Sequence, residues 1–162
     1  MADKWAIRQR GYLKMENLIQ LMRKVLANSF VFYLKAQNYH WNVEGKDFPQ
    51  YHEFFGDLYG EVYGSIDKTA EEIRALGDYA PGSLKRFIEL SDLQEEVAVP
   101  SLSVMLATLL RDNDTIIRSL NNTFKQAEAF DEQGLMNYLA DRIDAHKKHA
   151  WMIRSAMKDT QS

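Results

Sequence analysis

Apolar residues recur at threes and fours along four long stretches of this chain. In the first, Leu18, Leu21, Met22, Val25, Leu26, Phe30, Tyr33 and Leu34 make a wide apolar face and predict a helix from about Leu13 to Tyr39. In the second, Tyr51, Phe54, Phe55, Leu58, Tyr59, Val62, Ile66, Ala70 and Ile73 mark a helix from Phe48 to Leu76. Gly45 and Pro49 punctuate the short link between them, where Asp47 is placed to cap the second helix. So short a link predicts antiparallel neighbours, with His40 and His52 at the same end of the pair. The second helix should stop at Leu76-Gly77.

A longer connection, Asp78 to Pro100, carries an apolar patch (Leu84, Phe87, Ile88, Leu90) suited to one or two helical turns lying on the bundle. Ser101 opens a third helix with Leu102, Met105, Leu106, Leu109, Ile116, Ile117, Leu120 and Phe124 at core spacing. After a break near Asp131–Gly134, Leu135, Leu139, Ile143, Ala150, Ile153 and Met157 mark the last. Two helical hairpins joined by a long crossover make an all-α, ferritin-like four-helix bundle, with a short helix in the crossover between helices two and three. The 162 residues are read as one such domain, with residues 1–12 an N-terminal extension and 158–162 a C-terminal tail.

Composition adds exclusions. The chain has no cysteine, so disulfides and thiolate metal sites are ruled out. No run approaches the roughly 18 apolar residues of a membrane span, and the N-terminus lacks a signal-type apolar region, so a soluble cytoplasmic protein without membrane partners is expected. A net charge of −3 disfavours a phosphate backbone as partner.

The candidate chemistry lies between His40 and Gly77. It comprises two imidazoles, His40 and His52, and two carboxylates one turn apart, Asp67 and Glu71. Such a set suits iron, manganese or zinc better than calcium or magnesium. His52 and Asp67 are fifteen residues apart on one helix, which is roughly 22 Å and too far to share an ion. Yet they point to within about 60° of each other round the helix axis. Groups on one face, too distant for one ion, suggest two half-sites completed by a second copy lying antiparallel across a twofold axis. No acid is followed three residues later by histidine, so an intra-bundle di-iron motif lacks support.

The string Tyr39-His40-Trp41, His52 twelve residues on, Asp67, AEEIRALG containing Glu71, APGSLKRFIELS in the crossover and HKKHAWMIRSAM near the C-terminus resemble the Dps family, the mini-ferritins that protect DNA during starvation. The resemblance implies a twelve-subunit homo-oligomeric shell. Such a shell oxidises Fe(II), preferably with hydrogen peroxide rather than oxygen, and stores Fe(III) inside. It further implies that His40 and His52 of one subunit bind iron with Asp67 and Glu71 of its neighbour, and that Trp41 takes up oxidising equivalents beside them. Acidic residues at the start of the last helix, here Asp131, Glu132 and Asp141, would line iron-entry pores; Asn137 stands where a further acid is common.

Some features depart from the family pattern. Gly56 occupies the position four residues after the second histidine where an acid is common, which points to a poorer second iron position. Gly56, Gly60 and Gly64 form a four-residue series; they either let twofold-related helices approach closely or accommodate the nearby aromatics. His146 and His149 lack an accompanying carboxylate pattern and are read as packing or polar contacts. The termini (Lys4, Arg8, Arg10 and Lys14 against Asp3 and Glu16, and a final MKDTQS) give a thin basic footprint, so DNA binding is expected to be weak or absent. The competing readings are a nucleoid-binding structural protein with vestigial iron chemistry, and a zinc- or manganese-buffering assembly without turnover.

Overall fold

The computed structural model describes residues 2–158, with side chains from Gly11 onward. It contains α1 (Ala2–Asn42), α2 (Phe48–Ala75), α3 (Leu84–Leu90), α4 (Leu102–Glu128) and α5 (Gln133–Met157), and no strand among the described residues. The bundle is the all-α fold expected from the periodicity, with α3 as the short helix in the crossover. The first helix is longer than its apolar face implies. It begins at Ala2 and ends at Asn42, so His40 and Trp41 lie in its last turn. The side chains of Lys4, Arg8 and Arg10 and the tail beyond Lys158 lie outside the described residues.

Contacts fix the direction of each helix. Along α1 and α2, His40 meets His52, Tyr33 meets Tyr63, and Arg23 meets Asp78 just past the end of α2. Those numbers run oppositely, so the pair is antiparallel. Lys35 with Asp112 and Asn17 with Gln126 set α4 antiparallel to α1. Tyr51 with Ala156 and Thr69 with Tyr138 do the same for α5 against α2. It follows that α2 and α4 run parallel, and the crossover must travel the length of the bundle to join them. It does so along α1. Arg23 holds the carbonyl of Tyr79, Lys24 the carboxylate of Asp92, Asn28 accepts from Ser91 and from the Asp92 amide, and Tyr39 donates to Glu96.

The core is formed where the four long helices meet, with Leu18, Met22, Leu26, Phe32, Phe55, Val62, Ile73, Leu106, Leu109, Ile116, Leu120, Leu139 and Ile153 all buried. Leu34 of α1 departs from its expected place and is exposed, as are Leu84 and Ile88 of α3. Only Phe87 anchors α3 deeply, stacking on Phe30 at 4.4 Å. The N-cap of α2 also differs: Asp47 holds the position, but its side chain makes no capping bond and Pro49 sets the first turn. At the other end Gly77 takes φ +95°. Its amide bonds Arg74 and the Asp78 amide bonds Ile73, the paired bonds of a Schellman motif.

Polar residues also enter the interior. Lys35 and Asp112 pair there, and Asn113 lies fully buried beside His146. They interrupt the apolar face of α4 between Leu109 and Ile116, where the periodicity skips a turn.

Candidate metal centre

The last turn of α1 and the first turns of α2 bring His40 and His52 together. Their rings stack at 3.7 Å between centroids, with 21° between planes. His40 Nδ1 lies 2.6 Å from the backbone oxygen of His52, and His52 Nδ1 lies 2.7 Å from that of His40. A carbonyl oxygen only accepts, so each Nδ1 carries the proton. The carbonyl of His40 is one of the last four in α1, which have no partner within the helix. Here the His52 imidazole satisfies it.

This exchange fixes both tautomers and both ring orientations. In the neutral imidazole it leaves Nε2 with the lone pair. Neither Nε2 has a hydrogen-bond partner among the described residues. A ligating histidine characteristically donates its other ring N–H to a carbonyl or carboxylate in this way. Tyr59 packs edge-on against His40 at 5.2 Å, and Phe48 lies tilted over His52 at 5.1 Å. Both imidazoles are half-buried.

Gly56 permits the arrangement. A Cβ there would stand 3.2 Å from both Cε1 and Nδ1 of His40. The position that reads in the sequence as a missing acid is therefore filled by the edge of an imidazole. Gly60 and Gly64, on the same helix, have nothing within 4 Å of where a Cβ would stand.

The carboxylates do not join the imidazoles within one chain. Asp67 and Glu71 are exposed near the far end of α2 and make no hydrogen bond with the described residues. Among those residues, no three His, Asp or Glu side chains gather closely enough to hold a metal ion. Trp41 follows His40 in the last turn of α1 and is 62% exposed. Asp131, at φ +55°, and Glu132 form the turn into α5, with Asn137 and Asp141 exposed farther along that helix.

The other two histidines form a separate network between α2, α4 and α5. His146 Nδ1–H donates to Asn113 Oδ1 at 2.7 Å, and the Asn113 amide returns a bond to the His146 carbonyl at 2.8 Å. Arg142 Nη2 lies 3.3 Å from His146 Nε2, which must then accept. Burial and the neighbouring positive charge of Arg142 hold His146 neutral, well below its ordinary range. Arg142 also grips Glu61 through both guanidinium nitrogens, and His149 Nε2–H donates to Glu61 Oε2 at 2.7 Å. Burial alone would raise the Glu61 carboxyl, but the bonds from His149 and Arg142 outweigh it and hold the group well below the carboxylate range. These contacts are polar packing, as the missing carboxylate pattern around the two histidines suggests; their pairing with Glu61 has no signature in the sequence.

The ferritin-like domain family matches residues 19–162. The chain is 34% identical over 142 residues to a low temperature-induced protein of Nostoc sp., spanning 86% of this chain and 79% of that protein. It is 30% identical over 139 residues to the DNA protection during starvation protein of Brevibacillus brevis, spanning 85% of this chain and 93% of that one. The crystal structure of Dps from Staphylococcus aureus superposes with a TM-score of 0.84 at 28% identity, covering 88% and 95% of the two chains. Among the described residues no helix is long and apolar enough to cross a membrane. Fold and relatives agree: the chain belongs to the Dps family of ferritin-like proteins.

Proposed function

We propose that this protein oxidises Fe(II) at sites shared between two subunits and stores the Fe(III) product inside a closed homo-oligomeric shell, with hydrogen peroxide as the preferred oxidant. The carrying observation is the exchange of Nδ1–H bonds between His40 and His52, which leaves two Nε2 lone pairs fixed side by side. Two neutral nitrogens hold Fe(II), and anionic oxygens favour the more highly charged Fe(III). In this reading Asp67 and Glu71 of a twofold-related subunit supply those oxygens, and Trp41 stands beside the iron. In the same reading the shell has twelve subunits, which the likeness to the Dps family supports, with Asp131, Glu132 and Asp141 at its entry pores.

Pairing has support beyond the split ligand set. Leu34, Trp41, Leu84, Ile88, Val97 and Val99 are all exposed around one groove of about 410 Å³ between α1, α3 and the crossover. A contiguous apolar face of that kind marks an interaction surface. It reaches Trp41, the residue after His40, so the apolar contact lies at the same end of α1 as the two histidines. A second copy of this chain is the occupant assigned to it.

Subunit mixing tests the reading. His52→Ala and Asp67→Ala proteins, each assembled alone, should fail to oxidise Fe(II) with peroxide after anaerobic loading. Co-assembled, they should recover about a quarter of the wild-type rate, because one pairing in four unites an intact nitrogen half with an intact oxygen half. A mixture as inactive as its parents would overturn the shared site. DNA retention that survives physiological salt, with iron oxidation absent, would favour a nucleoid-binding role instead.

A further inference from the structure

The polar network between α2, α4 and α5 leaves one ring nitrogen over. His146 bonds Asn113 through Nδ1 and Arg142 through Nε2, and His149 donates Nε2–H to Glu61 at 2.7 Å. His149 Nδ1 has no hydrogen-bond partner among the described residues. The His149 side chain is only 9% exposed, and it lines a cavity of about 380 Å³ between α2 and α5. Both guanidinium nitrogens of Arg142 already grip Glu61, so the carboxylate has its counter-charge without His149. What the bond from His149 adds is a fixed ring: Nε2 carries the proton, and in the neutral imidazole Nδ1 presents its lone pair. A carboxylate holding the far side of an imidazole is the arrangement that orients a metal-ligating histidine.

Two further donors line the same cavity. Met152 is three residues beyond His149, so its thioether and the imidazole are neighbours on one face of α5. Asp57 lies one turn before Glu61 on α2. The antiparallel register, Tyr51 with Ala156 and Thr69 with Tyr138, sets it level with the turn from His149 to Met152. Phe54, Leu58 and Ala145 supply apolar walls. We propose that this cavity is a second metal site, complete within one subunit and selective for Cu(I), with His149 Nδ1 and Met152 Sδ as ligands and Asp57 as the neighbouring counter-charge. A thioether selects copper in its lower oxidation state, and copper is the metal that imidazole and thioether share. Hard divalent ions are poorly served, since among the described residues no three His, Asp or Glu side chains gather to hold one. Lys148 lines the cavity too, and its positive charge opposes a divalent ion more strongly than a monovalent one. The site owes nothing to the His40–His52 pair and stands whether or not that pair oxidises iron.

Anaerobic titration of the full-length protein with Cu(I), in competition with a colorimetric chelator, tests the site. The His40–His52 pair also offers imidazole nitrogens to copper, so His52→Ala protein serves as the parent for every measurement. The parent should bind one Cu(I) per subunit, and X-ray absorption at the copper edge should show a sulfur neighbour beside nitrogen. Adding Met152→Leu, which leaves the Glu61 bonds untouched, should remove the sulfur and weaken binding several-fold, with unfolding at the same urea concentration as the parent. Adding His149→Ala should abolish binding; if that variant does not fold, Met152→Leu decides the matter alone. Zn(II) at equal concentration should leave the Cu(I) in place. A parent that binds no Cu(I), bound copper without a sulfur neighbour, unchanged affinity in Met152→Leu, or displacement by Zn(II) would each overturn the assignment.

Discussion

The Cα of Gly56 and the imidazole of His40 are matched so closely that a methyl group on the glycine would stand 3.2 Å from two ring atoms. The ring would have to give way by a few tenths of an ångström. Its Nδ1–H bond to the His52 carbonyl is the contact most directly in the way. Gly56→Ala gains about 1 kcal/mol of helix propensity in the middle of α2. The two effects oppose each other on different readouts. The variant should unfold no more easily than wild type yet bind Fe(II) several-fold more weakly in an anaerobic titration. Unchanged affinity would mean the ring shifts without cost.

Gly60 separates folding from pairing in the same manner. A Cβ there meets open space in the single subunit. Gly60→Ala should therefore stabilise the isolated fold by about 1 kcal/mol. If α2 of a second copy passes close by, the same methyl weakens the dimer, which sedimentation at several concentrations would read. An alanine variant that dimerises as well as wild type would show that the helices do not approach there.

The buried Lys35–Asp112 pair should make the core sensitive to loss of one partner. Lys35→Met leaves the Asp112 carboxylate buried with Arg111 as its remaining ion partner. A cost of about 3 kcal/mol is expected. Adding Asp112→Leu removes the stranded charge and should restore most of that stability in urea titrations. If the double variant is no better than the single, the pair does more than neutralise itself.

Acid should loosen the α2–α5 seam in two stages. His146 is held neutral in the fold, while in the unfolded chain it takes up a proton near its ordinary value of 6.5. The stability this difference supplies is present above that value and declines as pH falls below it. Glu61 is held ionised in the fold, against an ordinary value of 4.5. Its contribution is intact above 4.5 and is lost as acid drives protons onto it. Both act in the same direction. Urea midpoints at fixed protein concentration should fall from about pH 6.5 downward, with the upper part of that fall missing in His146→Asn. A flat profile between about pH 7 and 5 in wild type would contradict the assignment.

The sequence and the structure agree where contacts are local or periodic. The four long helices follow from apolar spacing, the stop at Gly77 from a residue free to take positive φ, and the meeting of His40 with His52 from a link too short to separate them. The polar interior was hidden because its partners are distant in sequence: Lys35 and Asp112 are 77 residues apart, and His146 and Asn113 are 33. The spacing from Leu109 to Ile116 puts Asp112 and Asn113 on the buried face, but nothing local names the partners that satisfy them there. Leu34, Leu84 and Ile88 differ in the opposite sense, because an apolar face left exposed on the subunit has the same spacing as one bound for the core. The helix α1 begins at Ala2, ahead of the start its apolar face predicts, and Asp47 shows that a capping residue in position need not use its side chain.

The crossover has a bearing on the order in which the chain acquires its shape. Its helix α3 is seven residues long, well short of the roughly 12 to 15 that an isolated helix needs to persist in water. Beyond its junction with α2 at Asp78, its polar tethers end on α1. The crossover can therefore settle only after α1 is already in place, and once settled it sets α4 down alongside, so the first hairpin serves as the template on which the second is laid.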